Sequence, residues 1–166
     1  MAVLPILGFE HPMLRTHTRK VSRIDDSVLK LLDDLAETML AAPGAGLAAP
    51  QVGVGLRVMV VKGDDTQIHG LINPELVKGK GVQVGYEGCL SYPGWIGEVS
   101  RQESVVVKGR NRHGKEVRIK SSGFTARAFQ HELDHLDGVL FIDRLTSLDT
   151  LRRVEEPERE PVGEPS

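Results

Sequence analysis

"AFQHELDHLDG", Ala128 to Gly138, sets two histidines four residues apart with a glutamate directly after the first. On a helix, residues four apart lie one above the other, so His131 and His135 can turn their imidazoles toward one ion. Glu132 lies about 100° round from His131 by the helical repeat, within reach of a water at that ion without being a ligand. This is the HExxH spacing of metal hydrolases. The plain alternative is a polar helix that happens to hold two of the chain's six histidines. Against it stands an apolar character on both sides. Ala126, Phe129, Leu133, Leu136 and Leu140 recur three and four apart, while the histidines share their side with Phe124 and Ala128. A helix of that kind runs through the interior, where two unsatisfied imidazoles cost free energy unless they bind something.

The helical period begins after Gly123, and Asp137-Gly138 marks its end. Upstream, "DDSVLKLLDDLAETMLAA" (Asp25 to Ala42) carries Val28, Leu31, Leu32, Leu35, Met39 and Leu40 on one face, with acidic residues at its start to suit the helix dipole. Pro43 and Gly44 stop it. Between the two helices the period shortens. "LRVMVV" (Leu56 to Val61) reads as a buried strand, and "SVVVKGR" and "KEVRIKSS" read as two strands joined by the turn sequence "NRHG" (Asn111 to Gly114). The expected fold is α+β: short, mostly antiparallel β-sheets around a central metal-binding HExxH helix, plus an N-terminal helix over residues 26 to 42. Residues 1–150 are expected to form a single catalytic domain. The remainder, 151–166, ending in "EEPEREPVGEPS", is charged and proline-rich and is expected to be a disordered tail.

A formal charge of −2 with scattered basic residues leaves no electrostatic footprint for a nucleic-acid duplex or an anionic membrane. No apolar run approaches the roughly 20 residues of a membrane span, and the N-terminus has no leader-like composition. A soluble cytoplasmic protein with a small or peptidic partner is expected.

A catalytic ion needs three protein ligands and an open position. The chain's single cysteine, Cys89, is an inert buried thiol, a nucleophile or that third ligand. "PGAGLAAPQ" (Pro43 to Gln51) leaves backbone bare for the approach of a ligand, or else is a tight helix-to-strand connection. It lacks the lysine and hydroxyl residue of a phosphate loop.

Three stretches taken together, "GAGLAAPQ" (Gly44 to Gln51), "EGCLS" (Glu87 to Ser91) and "HELDH" (His131 to His135), resemble the three motifs of peptide deformylase, in order and at similar separations. "HPMLR" (His11 to Arg15) is similar to the family as well, and the resemblance runs to about Leu145. It implies that Cys89, His131 and His135 hold one divalent ion, ferrous iron in the family, with zinc, nickel or cobalt able to substitute. It implies hydrolysis of the formyl group from formyl-methionine at the N-terminus of a nascent polypeptide, with Glu132 as general base and then acid. The side-chain amide of Gln51 and the backbone N–H of Leu90 would serve the oxyanion. Backbone at Ala45, Gly46 and Gly88 would pair with the extended substrate, and Phe124, Arg127 and Ala128 would line the methionine pocket.

Arg127 stands where the family resemblance calls for an apolar residue. Either its stem lines the pocket with the guanidinium directed outward, or substrate preference is altered. Glu87 and Arg101 are candidates for a pair steadying the cysteine loop. The short acidic C-terminus lacks the long basic helix with which some members dock on the ribosome, so at most a transient ribosome contact is expected. Two rivals stay open on residues alone: a metallopeptidase using the same helix, and a non-catalytic module with a closed metal site. The latter requires a fourth ligand for which the sequence offers no second cysteine.

Overall fold

The computed structural model describes residues 2–154. Two helices sandwich one sheet. Helix α1 (Asp26–Ala41) starts at Asp25, whose carboxylate accepts from the backbone N–H groups of Ser27 and Val28 and so satisfies two of the first turn's orphan donors. Strands β1 (Gly46–Ala48), β2 (Val58–Lys62), β3 (Ile68–Lys80), β6 (Ser104–Arg110) and β7 (Glu116–Ser122) form an antiparallel sheet in the order β1-β2-β3-β6-β7. In β2 the alternation of side chains decides both layers. Val58 and Val60 pack on Leu31, Leu35 and Met39 of α1, and Met59 and Val61 pack on Phe129 and Leu136 of helix α2 (Gly123–Leu136). The continuous apolar run is therefore a strand covered on both faces. Each large side chain so buried contributes roughly 1.5–3 kcal/mol.

Strand β3 was not legible from alternation. Its ladder with β6 slips between Ile72 and Glu75, around Pro74 and an Asn73 with φ of 53°, and again between Leu76 and Lys78. Proline has no ladder donor, and a bulge tolerates it. The hairpin β6–β7 closes over Asn111 to Gly114 as its sequence predicts.

Helix α2 starts at Gly123, with φ of +60°, and stops at Gly138, with φ of +76°. The N–H groups of Gly138 and Val139 return to the carbonyls of His135 and Asp134, which caps the last turn. A Cβ on Gly138 would stand 2.7 Å from the Arg15 carbonyl oxygen, so the N-terminal segment also demands glycine there. Ten of the fourteen residues of α2 are buried, because a second sheet closes over its other side. That sheet has the order β4-β5-β8, from β4 (Gln83–Cys89), β5 (Tyr92–Arg101) and β8 (Arg152–Arg153). Leu140 lies past the helix end but is buried with Ala126, Phe129 and Leu136 of its apolar stripe, while Leu133 is half-buried.

Strand β8 lies past residue 150. Chain pairing continues through Arg153, because β5 has an open edge and Arg152 and Arg153 fill it opposite Ile96 and Trp95. The rest of the expected tail, 155–166, lies outside the described residues.

Candidate metal centre

Cys89 ends β4, just past a slip in the β4–β5 register at Gly88, and His131 and His135 face it from α2. Cys89 Sγ stands 3.3 Å from His135 Nε2, which is 3.2 Å from His131 Nε2. One ligand atom from each residue falls within 4.8 Å of the others. A thiolate and two imidazoles are a donor set for zinc or ferrous iron. Their convergence in a buried place, with no other partner for either Nε2 among the described residues, fits a cation between them.

The orientation of His131 is fixed from behind. Its Nδ1–H donates to Glu87 Oε1 at 3.0 Å, which leaves the Nε2 lone pair directed at the cluster. Glu87 is itself clamped. Arg101 donates through Nε and Nη2 to its two oxygens at 2.8 and 2.9 Å, and Arg127 donates through Nη1 to Oε2 at 2.7 Å. Burial alone would push the Glu87 carboxyl up, but Arg101 and His131 hold it well below the usual carboxylate range. Arg101 also reaches Asp134, which takes Arg144 in turn.

Of the two alternatives for Arg127, an outward guanidinium is not the arrangement found. It turns inward to Glu87, the Val99 carbonyl and Gln83, and the residue is 6% exposed. The charge pays its desolvation with one carboxylate and several neutral acceptors.

Glu132 is buried beside the cluster, and its Oε1 has no hydrogen-bond partner among the described residues. Burial, the largest influence, raises its carboxyl to about 7 against the pull of His131. Gly46 gives it room: a Cβ there would stand 2.7 Å from Glu132 Oε2. The glycine is thus demanded by the protein's own carboxylate. Gly46→Ala is expected to displace Glu132 and cut turnover by up to about 10²-fold at unchanged metal content, which steady-state kinetics alongside metal analysis will check.

Gln51 is 1% exposed and oriented at both ends. Its Oε1 accepts from the Ala48 N–H at 2.9 Å, and its Nε2 faces Ser91 Oγ at 3.1 Å and Cys89 Sγ at 3.9 Å. One N–H of this amide is thereby aimed at the Cys89 side of the centre. Ser91, quoted within the second motif, had no role assigned from sequence. Since Ala45 O already accepts from Lys62 N and β1 is an edge strand, strand alternation turns Gly46, and not Ala45, toward the open edge.

A cleft of about 450 Å³ gathers these groups. Ala45, Gly46, Gln51, Gly88, Cys89, Leu90, Phe124, Arg127, Ala128, His131 and Glu132 all line it, while His135 sits behind at 1% exposure. Phe124 is a 62% exposed rim residue. Tyr92 and Trp95 border the same cleft; Tyr92 also stacks on Phe9 with ring centroids 3.9 Å apart. His11, His17 and His113 are exposed, and His69 packs near Phe129, away from the centre.

The sequence pattern of the polypeptide deformylase family matches residues 3–151. The peptide deformylase of Dehalococcoides mccartyi is 50% identical over 155 residues, 93% of each chain. Peptide deformylase 1 of Bacillus cereus is 51% identical over 147 residues, 88% of this chain and 94% of its own. The crystal structure of a peptide deformylase from Legionella pneumophila superposes with a TM-score of 0.85 at 41% identity, covering 90% of this chain and 89% of the other.

Proposed function

From the premise that the chain belongs to the polypeptide deformylase family, we propose that Cys89, His131 and His135 hold its catalytic ion and that Glu132 moves the proton. The reaction is hydrolysis of the N-terminal formyl group of nascent formyl-methionine peptides. The family uses a catalytic metal; ferrous iron is the ion proposed here, with zinc, nickel or cobalt as substitutes. Bound among these ligands, a divalent cation would polarise the formyl carbonyl and make hydroxide available near neutral pH.

The chain's own groups do the rest. Glu132 takes the proton of the attacking water and returns it to the leaving nitrogen. The Gln51 amide, fixed by Ala48, and the Leu90 N–H donate to the oxygen that gains charge. Gly46 and Gly88 offer edge backbone to the peptide, and Phe124, Ala128 and the stem of Arg127 border the space for the methionine side chain. The observation carrying this reading is the convergence of the three ligand atoms beside a buried carboxylate whose Oε1 is free of partners among the described residues.

Protein purified without oxygen is expected to release formate from a formyl-Met peptide and nothing from the acetylated analogue. A fully metal-loaded protein that releases no formate overturns the proposal. Cys89→Ala is expected to weaken metal binding more than about 100-fold, since losing a mere supporting partner of a ligand already costs about 10–100-fold; unchanged affinity in a chelator competition removes Cys89 from the ligand set. With iron bound, activity decays in air and persists in nickel-loaded protein, and equal air stability in both forms counts against iron.

No helix among the described residues is long and apolar enough to cross a membrane. Work in the cytoplasm on emerging chains, with at most transient ribosome contact, completes the reading.

A further inference from the structure

The segment following α2 runs back along the edge of β5 from Val99 to Gly94. Leu145 bridges Val99, the Thr146 N–H donates to the Glu98 carbonyl, and the Glu98 N–H donates to Thr150 Oγ1 at 3.0 Å. Arg152 and Arg153 then pair with Ile96 and Trp95, and the Val154 N–H donates to the Gly94 carbonyl at 2.8 Å. Successive residues of a strand project to opposite faces, and here each face carries a clasp. The Arg152 guanidinium lies 4.9 Å over the Tyr86 ring, and that of Arg153 lies 5.7 Å from the Trp95 ring centre, within the range of a cation–π contact. Tyr86 and Trp95 are both walls of the cleft, and Val154, 39% exposed, is the one cleft-lining residue beyond α2 among the described residues.

We propose that Arg152 to Val154 form a specificity-determining strap, in which the two arginines set Tyr86 and Trp95 and Val154 presents an apolar wall to the side chains of the bound peptide. Their side chains reach none of the metal ligands, so the strap governs substrate affinity and not turnover. The inference rests on the deformylase reading.

The test is steady-state kinetics of formate release from formyl-Met-Leu-Ser by the metal-loaded protein. Val154→Gly and the double variant Arg152→Ala/Arg153→Ala are each expected to raise KM at least fivefold, with kcat within twofold of wild type and metal content unchanged. Val154→Trp keeps the strap and fills the cleft, and is also expected to raise KM. Arg152, Arg153 and Val154 being exposed, melting temperatures of the variants should stay near wild type. A KM within 1.5-fold of wild type in Val154→Gly and Val154→Trp overturns the strap, as does a loss confined to kcat. Absence of formate release from the wild-type protein would instead overturn the deformylase reading itself.

Discussion

Glu132→Ala is expected to keep its metal and lose turnover by roughly 10³-fold, within the 10²–10⁴-fold range of a positioned acid–base group. The metal survives because the three proposed ligand atoms come from other residues. Turnover falls because among the described residues no other carboxylate borders the cleft unpaired: Glu87 is there, but both its oxygens are held by arginines and His131. Activity within tenfold of wild type would remove Glu132 as the base.

The pH dependence has a definite sign. Burial raises the metal-free Glu132 carboxyl from its ordinary 4.5 to about 7. The folded chain then binds a proton more tightly than the unfolded one, so this group's contribution to stability is full below pH 4.5 and is lost as pH rises through 7. Metal-free Glu132→Gln, which has no proton to lose, is therefore expected to melt above wild type at pH 8, with the gap closing toward pH 4.5. A nearby dication lowers the carboxyl's pKa, so kcat/KM of the loaded protein should rise with pH through a value below 7. Equal melting of the two metal-free proteins at pH 8 would show that the carboxyl is not penalised by its burial.

Much of this site was legible in local spacing. His131 and His135 share a face because four residues make about one helical turn, and the run at Leu56 to Val61 announced a strand buried on both sides. The proposed third ligand was different in kind. Nothing local distinguishes Cys89 from an inert thiol; only the joint presence of three motifs singled it out, and the fold supplies the reason by bringing β4 against α2. Arg127 stayed open between two readings because a long side chain on a helix can reach either way, and the choice depends on Glu87, forty residues earlier. Gly46 was read for the space it leaves a ligand, whereas the nearest claim on that space is Glu132. Strand β8 is two residues long, too short for a period, and its partner edge is invisible without β5.

Glu87→Ala is expected to have the largest effect on stability, about 3–5 kcal/mol, because it removes the partner from buried charges. The two arginines will not suffer equally. Arg101 keeps Asp134, at 2.6 Å. The other acceptors of Arg127 are uncharged: Gln83 Oε1 at 3.2 Å, the Val99 carbonyl at 3.1 Å and the Gly85 carbonyl at 3.5 Å. Arg127 is therefore the charge left without a counter-ion. Adding Arg127→Leu to Glu87→Ala should restore part of the lost stability, although Arg127→Leu alone, which takes a partner from Glu87, should destabilise. That reversal of sign is the signature of a coupled pair, readable from denaturant midpoints of the four proteins. Metal affinity should separate from stability: both proteins lacking Glu87 lose the acceptor that orients His131, so each is expected to bind metal about 10–100-fold more weakly. If the two substitutions add without sign reversal, Arg127 is not balanced by Glu87. If affinity recovers together with stability in the double variant, the carboxylate acts on the metal only through the fold.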